Sequence, residues 1–308
     1  MMGKIAFLLA GQGSQYPGMG KELYEDVAEV KSFFDEAEKS RPGTLKQMFE
    51  GSEEELKQTI NTQPCLFLTD MAAAIALEAK GIHPDFAAGF SLGEIAGLAV
   101  SGVLNKEDAF RLVTVRGKLM HEASGVVKGK MAAVLRMDAE ELKKLSDEFG
   151  VCPVNYNCPG QIVVSGSEEK MDSFLSELDT RKVRYVNLPV SGAFHTPYMA
   201  SASEGLRREL TEGGYEISSP KITLYSNLSA KPYPMDSEGI ISAVSGQVSS
   251  SVRWEEIIKN MAESGADTFI ECGPGNTLSG FVKRTLKDVR ILNVAGRESL
   301  KRTLEELK

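Results

Sequence analysis

The chain has 308 residues, 42% of them hydrophobic, with 43 acidic against 35 basic side chains and a net charge of −8. That length suits one large domain carrying a smaller insert. The acidic balance argues against nucleic-acid binding, because phosphate neutralisation needs a basic surface and no dense Lys/Arg stripe is present. Cys65, Cys152, Cys158 and Cys272 lie far apart without C-x-x-C spacing, and three histidines cannot complete a conventional zinc site with them. Reduced thiols in a cytoplasmic protein are expected. The apolar run within Met1 to Ala10 is too short for a signal sequence, and no stretch approaches about 18 apolar residues, so neither export nor membrane insertion is expected.

Ile5 to Ala10 reads as a strand buried on both faces of a parallel sheet, ending in the loop Gly11 to Gln15. Helical patterns cover about Lys21 to Glu38 and Ser52 to Thr59, and a longer one follows Pro64 through Lys80. A short apolar run, Pro84 to Phe90, then leads through Gly-Phe-Ser-Leu-Gly at 89 to 93 into a helix over Glu94 to Val103. An amphipathic helix spans Asn105 to Ala123. The texture then changes: strand Lys130 to Met137, helix Ala139 to Phe149, strands Val151 to Asn157 and Gln161 to Ser165 about a Pro159-Gly160 turn, helix Glu168 to Leu178, strand Arg184 to Val190. This β-α-β-β-α-β order predicts a ferredoxin-like small domain inserted at 127–194, with a large α/β domain formed by 1–126 and 195–308. In the large domain the spacing predicts a strand at Ile222 to Ser226, a loop over Ser242 to Ser251, a helix at Val252 to Ser264, a strand at Thr268 to Cys272 and, after Gly273-Pro274-Gly275, a helix through Arg284.

The G-x-S-x-G element between a strand and a helix has the form of a nucleophile elbow, which makes Ser91 the candidate nucleophile and aims the Leu92 N–H at the same space. A serine hydroxyl needs a base. His83 precedes the strand that Ser91 ends and sits at the wrong end of the sheet, and His121 lies among polar neighbours near a helix end. His195, in the loop Ser191-Gly-Ala-Phe-His-Thr-Pro after the inserted unit, can reach a cleft between domains. Arg116 falls within the apolar stripe of Ala109, Leu112, Val113, Leu119 and Met120, whereas Arg111 points to solvent on the same wheel. A guanidinium in an apolar stripe must meet an anion, which is either a structural carboxylate from another element or a group on a substrate. Gly11 to Gln15 lacks phosphate-loop spacing. Following a parallel strand, it can bring the Gln12 N–H opposite that of Leu92 as an oxyanion hole.

Gly-Gln-Gly-Ser-Gln at 11–15, Gly-Phe-Ser-Leu-Gly-Glu at 89–94, Arg-Gly-Lys-Leu-Met at 116–120, Asn-Cys-Pro-Gly-Gln at 157–161, Ala-Phe-His-Thr at 193–196 and Glu-Cys-Gly-Pro-Gly at 271–275 stand in one order across nearly the whole length. Together they resemble the malonyl-CoA:acyl carrier protein transacylases of type II fatty acid synthesis. The resemblance implies an α/β-hydrolase-like large domain and a ping-pong transfer of malonyl from malonyl-CoA to the phosphopantetheine thiol of acyl carrier protein. It implies Ser91 as the acylated residue, His195 as base, Arg116 as partner of the malonyl carboxylate, and Gln12 with Leu92 at the oxyanion. It also implies Gln247 beside the histidine in place of the usual acid, and Phe194 and Asn157 at the substrate. No metal or redox cofactor is implied, and a monomer is expected. One departure is Phe90, where most relatives of that family carry histidine. Three alternatives stay open: a malonyl acyltransferase of polyketide synthesis, a serine thioesterase or hydrolase on the same elbow, and a non-catalytic carrier-binding module. Lys283, Arg284 and Lys287 form either a carrier-facing basic patch or a solvated helix face.

Overall fold

The computed structural model describes residues 3–190 and 192–308, so Met1, Met2 and Ser191 lie outside the described residues. The chain opens with strand β1 (Lys4–Leu9), whose residues from Ile5 onward are all buried. Helices α1 (Lys21–Asp26), α2 (Ala28–Ser40), α3 (Thr44–Glu50), α4 (Glu53–Lys57) and α5 (Thr59–Glu78) precede β2 (Phe86–Gly89), α6 (Gly93–Val100) and α7 (Lys106–Val126). A contiguous unit follows: β3 (Gly129–Leu135), α8 (Ala139–Phe149), β4 (Cys152–Cys158), β5 (Gln161–Ser167), α9 (Glu168–Thr180) and β6 (Arg184–Asn187). After a 3-10 turn at Pro197–Met199 come α10 (Ala200–Glu212), β7 (Thr223–Tyr225), α11 (Ser237–Gln247), α12 (Trp254–Glu263), β8 (Ala266–Cys272), α13 (Thr277–Thr285), β9 (Arg290–Val294) and α14 (Arg297–Glu306).

Five strands form one sheet in the order β7-β2-β1-β8-β9, and every pair in it is parallel. Their carboxyl ends therefore share one rim, where ligands bind in open α/β sheets. The register Leu9↔Gly89 sets the ends of β1 and β2 level, so the loops that leave them, carrying Gln12 and Ser91, start side by side. The second sheet, in the order β4-β5-β3-β6, is antiparallel. Its pleat sorts side chains by face. Ala132, Val134, Ile162 and Val164 pack under α8 and α9, while Met131, Ala133, Val154 and Val163 join the core of the larger part.

Three expectations need correction. The long helix begins at Thr59 and carries Pro64 inside it, because burial of nearly every residue from Thr62 to Leu77 outweighs the missing N–H of one proline. Ser242 to Gln247 belong to α11 and only the residues after them form a loop. Asp236 caps this helix by accepting the Gly239 N–H at 2.8 Å, and Ile240, Ile241 and Val244 bury its inner face. Arg111 is half-buried rather than solvent-facing: its guanidinium lies 3.9 Å from the Tyr215 ring centre, donates to the Gly213 carbonyl at 2.8 Å and pairs with Asp108 at 3.0 Å. Among the described residues no helix is long and apolar enough to cross a membrane, and no cluster of three His, Cys, Asp or Glu side chains could hold a metal ion.

Candidate active site

Ser91 sits between β2 and α6 at φ 53°, in the left-handed region that non-glycine residues seldom occupy. Its two flanking glycines are required sterically. A Cβ on Gly89 would lie 1.9 Å from the Gly93 backbone, and one on Gly93 would lie 2.4 Å from the Leu9 carbonyl oxygen of β1. Two side chains from distant elements hold the strained turn. Asn227, after β7, accepts the Ser91 N–H at 2.8 Å through Oδ1 and donates to the Gly89 carbonyl at 2.7 Å. Gln247, at the end of α11, donates to the Ser91 carbonyl at 2.7 Å.

His195 also has positive φ, 61°, and its Nε2 lies 2.8 Å from Ser91 Oγ. Its Nδ1 faces the Gln247 carbonyl oxygen at 3.0 Å. A carbonyl only accepts, so Nδ1 carries the proton and Nε2 is free to accept from the serine hydroxyl. The imidazole is thus oriented by the main chain of Gln247 and not by its side chain, whose amide serves Ser91 and Arg116 instead. Burial, with the Arg116 charge second, lowers the His195 pKa to about 4, so the ring is neutral near pH 7. His83 and His121 are exposed and take no part.

Arg116 is 1% exposed on the inner face of α7. It donates to Gln63 Oε1 at 2.8 Å, to Gln247 Oε1 at 2.9 Å and to Ser91 Oγ at 3.3 Å. It closes no ion pair within 4.0 Å among the described residues. No carboxylate of the described residues touches it directly. Burial lowers the guanidinium pKa to about 10, which leaves it charged at neutral pH. Glu94 is 1% exposed in the first turn of α6; its Oε1 accepts the Tyr233 hydroxyl and, at 3.3 Å, the Asn227 N–H. Burial raises the Glu94 pKa to about 7.

The Leu92 and Gln12 N–H groups meet no acceptor among the described residues. The Gln12 side chain donates weakly to Thr59 Oγ1 at 3.4 Å. Gln12, Ser14 and Phe90 line a cleft of about 210 Å³ that runs between the two sheets, with Asn155, Asn157, Gln161, Val163, Leu188 and Phe281 on its walls. Asn157 is 4% exposed and its Oδ1 has no hydrogen-bond partner, as is true of Asn155 Oδ1. Phe90 stacks edge-on against Trp254 at 5.3 Å and tilts against Phe281 at 6.1 Å, so this position is held by aromatic packing. Phe194 is buried in the main core beside His195.

The structure thus brings Ser91, His195, Arg116 and Gln247 into one hydrogen-bonded cluster. It adds Gln63, Asn227, Glu94 and Tyr233, which the sequence reading did not single out. Two signals were present: Gln63 directly precedes a long apolar run that begins at Pro64, and Asn227 follows a strand whose end lies on the same rim. The cluster can deprotonate a serine hydroxyl and seat an anionic group beside it.

Comparison with known proteins agrees with this geometry. The acyl transferase domain model matches residues 6–306. A malonyl CoA-acyl carrier protein transacylase of Bacillus subtilis (strain 168) is 41% identical over 315 residues, which span 100% of this chain and 98% of the relative. The crystal structure of malonyl CoA-acyl carrier protein transacylase from Clostridium perfringens superposes with a TM-score of 0.93 at 38% identity, covering 99% of this chain and 97% of that one. A type II PKS acyl-carrier protein in complex with its malonyl-transacylase also matches, with a TM-score of 0.93 at 32% identity and coverage of 98% and 99%. The chain belongs to the acyl transferase family, among the malonyl CoA-acyl carrier protein transacylases.

Proposed function

We propose that this chain transfers a malonyl group from malonyl-CoA to the phosphopantetheine thiol of acyl carrier protein through an ester on Ser91. His195 Nε2 takes the hydroxyl proton as Ser91 Oγ attacks the thioester carbonyl. The Gln12 and Leu92 N–H groups receive the negative charge on the carbonyl oxygen. The C–S bond breaks and CoA leaves as a thiol with the proton from His195. The carrier thiol then gives its proton to His195 and attacks the ester, which restores the serine hydroxyl. Gln247 orients the imidazole through its carbonyl and the serine through its amide. No step calls on a metal or redox group.

The observation that carries this reading is the buried Arg116 guanidinium, touched by no carboxylate of the described residues and 3.3 Å from the nucleophile. It suits an acyl group that ends in a carboxylate and disfavours the neutral acyl chains of a general esterase. Asn157, with a buried and unpartnered Oδ1 on the cleft wall, suits the amide N–H groups of the pantetheine arm. Phe194, next to His195, bounds the room for a branch on the acyl group.

We further infer that residues 1–126 and 195–308 form an α/β-hydrolase-like unit and 127–194 a ferredoxin-like insert. Contiguity of β3 to β6 and the separate apolar cluster under α8 and α9 support that division. All site residues come from one chain, so one copy suffices, and four cysteines without disulfides suit the cytoplasm. A carrier of fatty acid synthesis is the partner proposed; the similarity to a polyketide carrier complex makes that carrier the second to try. Incubation with malonyl-CoA followed by peptide mass spectrometry tests the reading. A malonyl ester on Ser91 that is discharged by holo carrier protein is expected. Absence of the ester, or its discharge to water at the same rate without carrier, refutes it.

A further inference from the structure

Arg116 needs something to balance its charge when no acyl carboxylate is bound, and hydrogen bonds lead from it to the buried Glu94: Arg116 donates to Gln247 Oε1 at 2.9 Å, Gln247 Nε2 donates to Asn227 Oδ1 at 3.3 Å, and the Asn227 N–H donates to Glu94 Oε1 at 3.3 Å. Glu94 is fixed from two sides. The Tyr233 hydroxyl and the Asn227 N–H both donate to Oε1, while Oε2 is buried with no hydrogen-bond partner. Asn227 in turn holds the Ser91 N–H and the Gly89 carbonyl. The carboxylate is therefore one residue removed from the nucleophile's backbone and is joined to the guanidinium through Asn227 and Gln247.

We propose that Glu94 is a positioning and selectivity residue for acyl transfer: it anchors the Ser91 turn through Asn227 and supplies the counter-charge of Arg116 until an acyl carboxylate takes that place. The inference rests on the reading of Arg116 as the malonyl partner. Two anions then compete for one buried cation, and an ionised Glu94 weakens malonyl binding while leaving a neutral acetyl group unaffected. The ionisable groups that face Glu94 are Tyr233 from the loop after β7 and Arg116 from α7; α11 contributes only the neutral Gln247. β2 carries no ionisable side chain, Lys4 lies at the far end of β1, and Asp70 and Glu78 of α5 act on Cys272 instead.

The test is the ratio of malonyl to acetyl transfer to holo carrier protein, measured from about pH 6 to about pH 8. In the wild type, Glu94 loses its proton across this window, so KM for malonyl-CoA rises with pH while KM for acetyl-CoA stays level. Glu94→Gln keeps the shape and the accepting oxygen but removes the charge. The malonyl-to-acetyl ratio of kcat/KM at the upper pH should rise about tenfold, and the malonyl KM should lose its pH dependence. Glu94→Ala, which also frees Asn227, should lower kcat for both acyl groups. Tyr233→Phe removes the donor that favours the carboxylate, so the rise in malonyl KM should move to higher pH. This variant carries the test if Glu94→Gln fails to fold. An unchanged ratio and pH profile in folded Glu94→Gln, or no movement of the profile in Tyr233→Phe, overturns the proposal while wild-type malonyl transfer stands. A wild type that forms no malonyl ester defeats the functional reading and this inference with it.

Discussion

Replacing Arg116 with Ala separates a carboxylate-binding role from a structural one. In the free protein the guanidinium donates to Gln63, Gln247 and Ser91, and all three acceptors lose a charged donor in the variant. Leaving buried acceptors unpaired costs about 1–3 kcal/mol each, so a drop in Tm is expected whatever the acyl group. The acyl-specific part is different. A charge-assisted guanidinium–carboxylate pair in a partly dry cleft is present with malonyl and absent with acetyl, a difference of roughly 2–4 kcal/mol. At about 1.4 kcal/mol per tenfold, malonyl transfer should fall about 30-fold or more relative to acetyl transfer. Acetyl transfer itself should hold or rise, because an unpaired cation no longer lies beside a neutral methyl. The assay follows acyl-carrier formation from malonyl-CoA and acetyl-CoA under identical conditions, with circular dichroism to confirm folding. Equal proportional loss of the two activities would refute the argument and leave Arg116 as a structural residue.

Ser91→Ala should abolish the covalent ester and leave the fold intact; exchange of malonyl at a comparable rate in that variant would remove Ser91 as nucleophile. His195→Ala should lower kcat/KM by roughly 10²-fold or more, about 3 kcal/mol, and a loss under about tenfold would point to another base. Because burial holds the imidazole near 4 against 6.5 in the unfolded chain, the unfolded state binds one more proton between those values. His195 therefore contributes a fall in unfolding free energy as pH drops from 6.5 towards 4, and that slope should disappear in His195→Ala when urea titrations are compared across the window. Asp70 is fully buried, and desolvation, then Glu271, push its carboxyl well above the usual carboxylate range. Its raised native pKa gives stability that is complete below 3.8 and drains as pH rises above it, so Asp70→Asn should raise Tm at pH 7; a lower Tm there would show that the native carboxyl is ionised.

Local chemistry made part of this protein legible before any fold was known. The G-x-S-x-G turn carries part of its own steric reason: Gly89 is needed because the turn brings it against the backbone of Gly93, a neighbour in sequence, whereas Gly93 is needed because the fold lays it against Leu9 of β1. The β-α-β-β-α-β order and the placement of Arg116 on the inner face of α7 follow from periodicity alone, since side chains at fixed helical spacing share a face. His195 could be chosen among three histidines because only it lies in a loop after a strand at the change of texture. Other features depend on contacts between residues far apart in the chain. Ser91 meets Asn227 across 136 positions and Gln247 across 156. No local rule pairs an asparagine after one strand with a turn after another, and Glu94 finds its hydrogen-bond donor Tyr233 139 positions away. The same cause explains the misread segments. The Ser- and Gly-rich stretch at 242–247 is helical because it packs closely on α10, where Ser203 donates to the Ser245 carbonyl at 2.8 Å. Arg111 left the solvent for the Tyr215 ring, 104 residues on, which no helical wheel contains. Periodicity reports which face of an element is apolar, and only the packed structure decides what that face meets.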